Sequence, residues 1–133
     1  MHISTLLSDE LGKYLDMSAL ELKLTAQNMA NIDTPGYRTV GFDFAEAMES
    51  SMSEALASRK EDAGSDNSAA PKFRPGATVW LVDGLIERPD GNNVSMDREG
   101  MKMAEAQLQF RMGVELLKSE FSNVLDAIHA DTK

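Results

Sequence analysis

The chain has 133 residues, 42% hydrophobic and 26% charged, which is one domain's worth of sequence with enough apolar material for a core. Its formal net charge of -9 argues against a general binder of nucleic acid or anionic membrane, because phosphate surfaces are held by clustered Lys and Arg. Zero cysteines exclude disulfides, thiolate catalysis and cysteine-rich zinc sites, and no apolar run approaches the roughly 20 residues that span a bilayer.

The N-terminus, Met1-His2-Ile3-Ser4-Thr5, lacks a charged region followed by an apolar one, so no cleaved Sec signal is expected. From about Ser4 to Asn31, Leu11, Leu15, Ala19, Leu22, Ala26 and Met29 recur at three- and four-residue spacings, which predicts one long amphipathic helix. Leu20 and Leu24 lie off this stripe and point to a second buried face. Thr34-Pro35-Gly36-Tyr37 then suits a type II turn, since Pro35 fixes φ and Gly36 accepts a positive one. Asp43-Phe44-Ala45-Glu46 resembles a capping box, and Phe44, Met48, Met52 and Leu56 predict a short helix to about Ser58.

Glu61 to Gly76 is polar, small and proline-broken, and reads as a mobile loop. Ala77-Thr78-Val79-Trp80-Leu81-Val82 reads as a strand, with Leu85-Ile86-Glu87 as its hairpin partner across Asp83-Gly84. Asp90-Gly91-Asn92-Asn93 forms the turn into the last helix, where Ser95 is the N-cap and Asp97 and Glu99 suit the positive helix end. In that helix Met96, Gly100, Met103, Gln107, Phe110, Val114, Leu117, Phe121, Val124 and Ile128 alternate by four and three, the a/d seam of a coiled coil.

The expected fold is therefore mainly α. Long N- and C-terminal helices pair as a coiled coil around a small irregular or β-hairpin-containing middle. The chain divides into 1–37 with the first helix and its corner, 38–94 with the middle, and 95–133 with the last helix, the two termini forming one core. A two-helix pair leaves much apolar surface wet, which predicts self-association or partner helices. The nine methionines fit adaptable packing equally well in a core or in a compliant interface.

Chemistry has little to stand on. His2 and His129 lie at opposite ends without a trustworthy metal-ligand spacing, and Asp83 and Asp90 lack the order of a calcium loop. No nucleophile elbow, phosphate-cradling glycine loop or dinucleotide fingerprint occurs, so neither catalysis nor a cofactor is expected.

The stretch NMANIDTPGY closes the first helix. Asn28 and Asn31 share a helical face, and their amides can donate to carbonyls left unpaired at the helix end. Asn31 also tolerates the left-handed conformation that often ends a helix. An ordinary capped corner explains these residues, as does a rigid corner that presents Tyr37 and Phe42-Asp43-Phe44 to a neighbour.

Asn28, Ala30, Asn31, Thr34, Pro35, Gly36 and Tyr37 resemble the N-terminal signature of the bacterial flagellar rod, hook and hook-associated proteins, N-hydrophobic-A-N-x-x-T-P-G-Y. Met29 and Ile32 depart from its usual residues but stay apolar. Within that group the short chain, Phe42-Asp43-Phe44 and Gly91-Asn92-Asn93-Val94-Ser95-Met96-Asp97 resemble the proximal rod proteins, among which FlgC is similar in length and organisation.

The resemblance implies a non-enzymatic subunit that polymerises through its terminal helices into the hollow drive shaft for motility. Met103, Phe110, Val114, Leu117, Phe121, Val124 and Ile128 would form the assembly seam. It implies export through the flagellar type III apparatus and a place in the basal-body rod in the periplasm. Implied partners are further copies, the other proximal rod protein FlgC, the rod adaptor FliE and the inner-membrane ring. A soluble coiled-coil adaptor or export chaperone would carry the same charge and methionine content.

Overall fold

The computed structural model describes residues 5–61 and 77–130, so the expected mobile loop lies almost wholly outside the described residues. Five elements follow in order: α1 (Leu6–Ala30), β1 (Val40–Gly41), α2 (Phe44–Glu61), β2 (Trp80–Leu81) and α3 (Met96–Ala130). The molecule is mainly helical, with long terminal helices and a small antiparallel sheet in the middle. No described helix is long and apolar enough to cross a membrane.

α1 and α2 begin where the sequence supplies a cap. The Thr5 hydroxyl accepts the Ser8 N–H at 3.0 Å while the Ser8 hydroxyl accepts the Thr5 N–H at 3.0 Å, satisfying two orphan donors at once. Asp43 caps α2 by accepting the Glu46 N–H at 2.9 Å. α2 runs three residues past the expected Ser58, and α3 places Asp97 and Glu99 in its first turn.

α1 and α3 pack antiparallel, and the register is readable from their contacts. Thr5 donates to Glu120 at 2.8 Å, Tyr14 and Leu15 lie against Gly113, and Asn28 donates to Glu99 at 2.8 Å. At Gly113 the helices approach so closely that a Cβ would sit 2.8 Å from Leu15 Cδ2 and 3.0 Å from Tyr14 Cδ1. α2 packs on α1, with Ala47 and Ser51 buried, Lys13 donating to the Ser51 carbonyl at 3.0 Å, and Tyr14 edge-on to Phe44 at 5.3 Å.

Three expectations are corrected. The stripe of α1 that goes deepest is not Leu11 to Met29 but the other face, where Met17, Ser18, Leu24, Thr25 and Asn28 are buried. The strand over 77–82 shrinks to Trp80–Leu81. Its partner is not Leu85-Ile86-Glu87 but β1, with Val40 opposite Leu81 and Gly41 opposite Trp80. Gly84 does take φ +76, but the residues beyond it form no strand, and Ile86 is 94% exposed rather than paired. Backbone pairing goes to β1 because the sheet is built onto the end of α1, where other groups complete it.

Candidate functional site

The corner after α1 is closed by its own residues and then locked by the turn before α3. Asn31 is the C-cap, its amide donating to the Gln27 carbonyl at 2.8 Å and its side-chain oxygen accepting the Thr34 hydroxyl at 3.1 Å. Asn31 does not adopt the left-handed conformation, having φ -103, so the reversal falls to Gly36 at φ +72. The Tyr37 N–H donates to the Thr34 carbonyl at 3.2 Å, closing a type II turn around Pro35 and Gly36.

Asn92 fills the inside of this corner. It is 0% exposed, and its amide reaches the carbonyls of Asn31, Ile32 and Thr34 at 2.9, 3.0 and 2.8 Å. Two amide hydrogens are thus shared among three carbonyls at the helix end. The Asn92 side-chain oxygen accepts the Val94 N–H at 2.8 Å, and Arg88 donates to the Ile32 carbonyl beside it. The Gly36 N–H donates to the Asp90 carbonyl at 2.8 Å, and Gly91, at φ +80, lies so near that a Cβ would stand 3.4 Å from the Gly36 Cα.

Two further asparagines complete the small sheet. In the ladder of β1 and β2 the Val40 N–H and C=O point away from Leu81, towards α1. The Asn28 amide meets both, donating to the Val40 carbonyl at 2.8 Å and accepting its N–H at 3.0 Å. Asn28 therefore takes the place of a third strand at that residue. Asn93 acts between the strands at the ladder's end: it accepts the Thr39 N–H at 2.7 Å and its amide donates to the Val82 carbonyl at 3.5 Å, while the Val82 N–H donates to the Thr39 carbonyl at 2.8 Å.

Asn28 also donates to Glu99 and accepts the Tyr37 hydroxyl at 3.1 Å. Every donor and acceptor site of this buried amide is thereby used. Glu99 is 0% exposed, and its second carboxylate oxygen has no hydrogen-bond partner among the described residues. Burial, together with the charge of Glu99 and against a hydrogen bond to Gln27, holds the Tyr37 phenol above its ordinary pKa, so it remains a donor at neutral pH.

The seam residues of α3 take two kinds of position. Met103, Val114, Leu117 and Val124 are half-buried, while Phe110, Phe121 and Ile128 are exposed. The strip that faces α1 most closely is Glu99, Ala106 and Gly113, one step around the helix from the seam. With about 100° per residue and antiparallel axes, this seam and the Leu11, Leu15, Leu22 stripe of α1 fall on the same flank of the pair. Both apolar stripes read from the sequence thus border the helix interface, entering it at Leu15, which lies against Gly113.

What the arrangement does chemically is hold shape. The corner is built from amides paired with backbone groups, and no group of three or more His, Asp or Glu among the described residues could hold a metal ion. Ala30 ends α1 and is exposed, as are Thr34 and Pro35, while Tyr37 is half-buried. Of the residues that lock the corner from outside, Asn92, Asn93 and Glu99 were legible only as turn and first-turn residues, and Arg88 carried no signal at all. The available signal was an Asn-Asn pair buried after a glycine, and a small or polar residue at each heptad step from Glu99 through Ala106 to Gly113.

No family model matches the chain. It is 30% identical over 122 residues to the flagellar basal body rod protein FlgB of Salmonella typhimurium, covering 86% of each chain. It is 28% identical over 122 residues to FlgB of Escherichia coli, covering 87% of this chain and 88% of the relative. It is also 28% identical over 114 residues to FlgB of Bacillus subtilis, covering 83% of each.

Proposed function

The chain belongs to the family of the flagellar basal body rod protein FlgB, and on that premise we propose that it is a structural subunit of the rod, built to be packed by neighbours and not to catalyse. One observation carries the assembly reading: Phe110, Phe121 and Ile128 continue the heptad seam of α3 yet stand exposed in the single chain. An apolar seam that its own hairpin leaves open needs a neighbour to dry it. Met103, Val114, Leu117 and Val124 extend the same surface inwards.

The corner has the complementary role. Asn28, Asn31, Thr34, Pro35, Gly36 and Tyr37 fix the angle at which the chain leaves α1, and so set where the middle of the subunit stands relative to the packed helices. The partners are further copies in a helical rod, the other proximal rod protein FlgC, the rod adaptor FliE and the inner-membrane ring. Delivery is through the flagellar type III export apparatus to the periplasmic rod. A cytoplasmic adaptor or export chaperone would share the acidic charge, but membership in a rod-protein family does not favour it.

Fractionation tests this. The tagged chain should co-purify with intact basal bodies stripped of cytoplasm, whereas retention in the cytoplasmic fraction at functional expression would overturn the rod assignment.

A further inference from the structure

The chain has nine methionines and no cysteine, so its sulfur chemistry is thioether chemistry alone. Those thioethers divide by exposure. Met17 is 0% exposed, whereas Met101 is 75% and Met112 55% exposed, more than any other described methionine. At about 100° per residue, Met101, Leu108 and Met112 fall within roughly 40° of one another, on the side of α3 turned away from the Glu99, Ala106 and Gly113 strip that meets α1. Of the described helices and strands only α1 packs on α3, and so they leave this side open.

Two properties set these two sulfurs apart. An exposed thioether meets an oxidant without any opening of the fold, and its sulfoxide stays in water, so oxidation costs the single chain little. On a surface that a neighbour dries, the same oxygen is a strong acceptor without a donor, on a side chain that has exchanged compliant packing for polarity. Met17 is the converse case. An oxygen there would disrupt the core, but burial withholds its sulfur from the oxidant.

We propose that Met101 and Met112 are oxidation sites through which a peroxide decides whether the chain is incorporated. The thioether sulfur attacks one peroxide oxygen, and the S–O bond forms as the O–O bond breaks. Sulfur gives up two electrons, and the departing hydroxide takes the proton of the transferred hydroxyl and leaves as water. The product is a folded chain with methionine sulfoxide on the outer side of α3, which a neighbour no longer covers. Methionine sulfoxide reductases reverse the change, so an oxidised chain is restored rather than lost. This rests on the rod-subunit reading and adds a chemical condition to incorporation, whichever neighbour covers this side.

The purified full chain is first treated with hydrogen peroxide and mapped by peptide mass spectrometry. Met101 and Met112 should gain an oxygen first and Met17 last, with helix content unchanged. Oxidation of Met17 as fast as Met101, or loss of helix content, would overturn the proposal. Cells are then given an isotope label and a hydrogen peroxide pulse ended by catalase, and labelled chain in basal bodies is compared with labelled chain exported but unassembled. Incorporation of the parent should fall roughly tenfold or more, and sulfoxide at Met101 and Met112 should be depleted in basal bodies to match. The Met101→Leu, Met112→Leu double variant keeps the apolar volume without the sulfur, and it should incorporate after the pulse as it does before. Equal sulfoxide in the two pools, or an equal fall in the double variant, would overturn the proposal. Absence of the untreated parent from basal bodies would instead overturn the rod-subunit reading itself.

Discussion

Replacing Asn28 by alanine should cost far more than removing an ordinary helix cap. The lost amide leaves the Val40 N–H and C=O without the partners that stand at 3.0 and 2.8 Å, and removes the one donor, at 2.8 Å, from a fully buried Glu99. The two backbone bonds contribute about 1 kcal/mol each and the bond to the carboxylate about 1.5 to 3 kcal/mol, which sums to roughly 3 to 5 kcal/mol. The Tyr37 bond is left out of this sum because its half-buried hydroxyl can turn to water. Helix-end asparagines that only cap contribute about 1 kcal/mol.

Two assays on the purified chain read this out. The denaturation midpoint followed by circular dichroism should fall accordingly. Exchange of the Val40 amide should accelerate roughly 100- to 5,000-fold, at about 1.4 kcal/mol per factor of ten. In a Glu99→Leu background the charged contribution disappears, so Asn28→Ala should then cost only about 2 kcal/mol. A loss of about 1 kcal/mol or less, with Val40 exchange unchanged, would refute the idea that Asn28 stands in for a strand.

Gly113→Val should push α1 and α3 apart, costing about 1 to 3 kcal/mol by overpacking against Leu15 and Tyr14, and thermal unfolding should detect it. Gly36→Ala, at φ +72 with open space around it, should cost about 1 kcal/mol of backbone strain without a clash, whereas Gly91→Ala adds an approach to the Gly36 backbone and should cost more in the same melt. Burial raises the Glu21 pKa, opposed by Lys102 and assisted by Glu105, so the folded chain holds this proton more tightly than the unfolded one. Its contribution to stability should decline as pH rises from the unfolded carboxylate range through the folded pKa, and Glu21→Gln should flatten that part of a pH–stability curve. Amide exchange in the single chain should be slow from Glu99 to Gly113 and fast beyond it, because the last buried residue of α3 is Gly113.

The periodic elements were legible in the sequence because helix period and caps are local. α1 ends and α3 begins within a residue or two of where Asn31 and Ser95 place them, and the turn at Pro35-Gly36 has the expected form. Which face goes inward was not legible. The strongest apolar stripes, Leu11 to Met29 and Met96 to Ile128, look like a core by hydrophobicity alone, yet the strip of closest approach uses small and polar residues, Ala106, Gly113 and Glu99. A subunit that keeps its apolar stripes for neighbours defeats the rule that the most apolar face is the inner one. The pairing of Trp80–Leu81 with Val40–Gly41 was hidden for a different reason: it is completed by Asn28 and Asn93, distant in sequence, whose amides can serve a turn or a sheet equally well.

The central claim, that the open seam of α3 is dried by neighbours in the rod, is tested most directly by Phe121→Asp, measured as the ratio of chain in purified basal bodies to chain exported. Phe121 is 51% exposed in the single chain, so the change should leave folding and export near normal. Between packed subunits the same carboxylate would be desolvated without a partner, at a cost of several kcal/mol. The account predicts normal export with incorporation reduced at least tenfold. Incorporation at the level of the unsubstituted chain would contradict it.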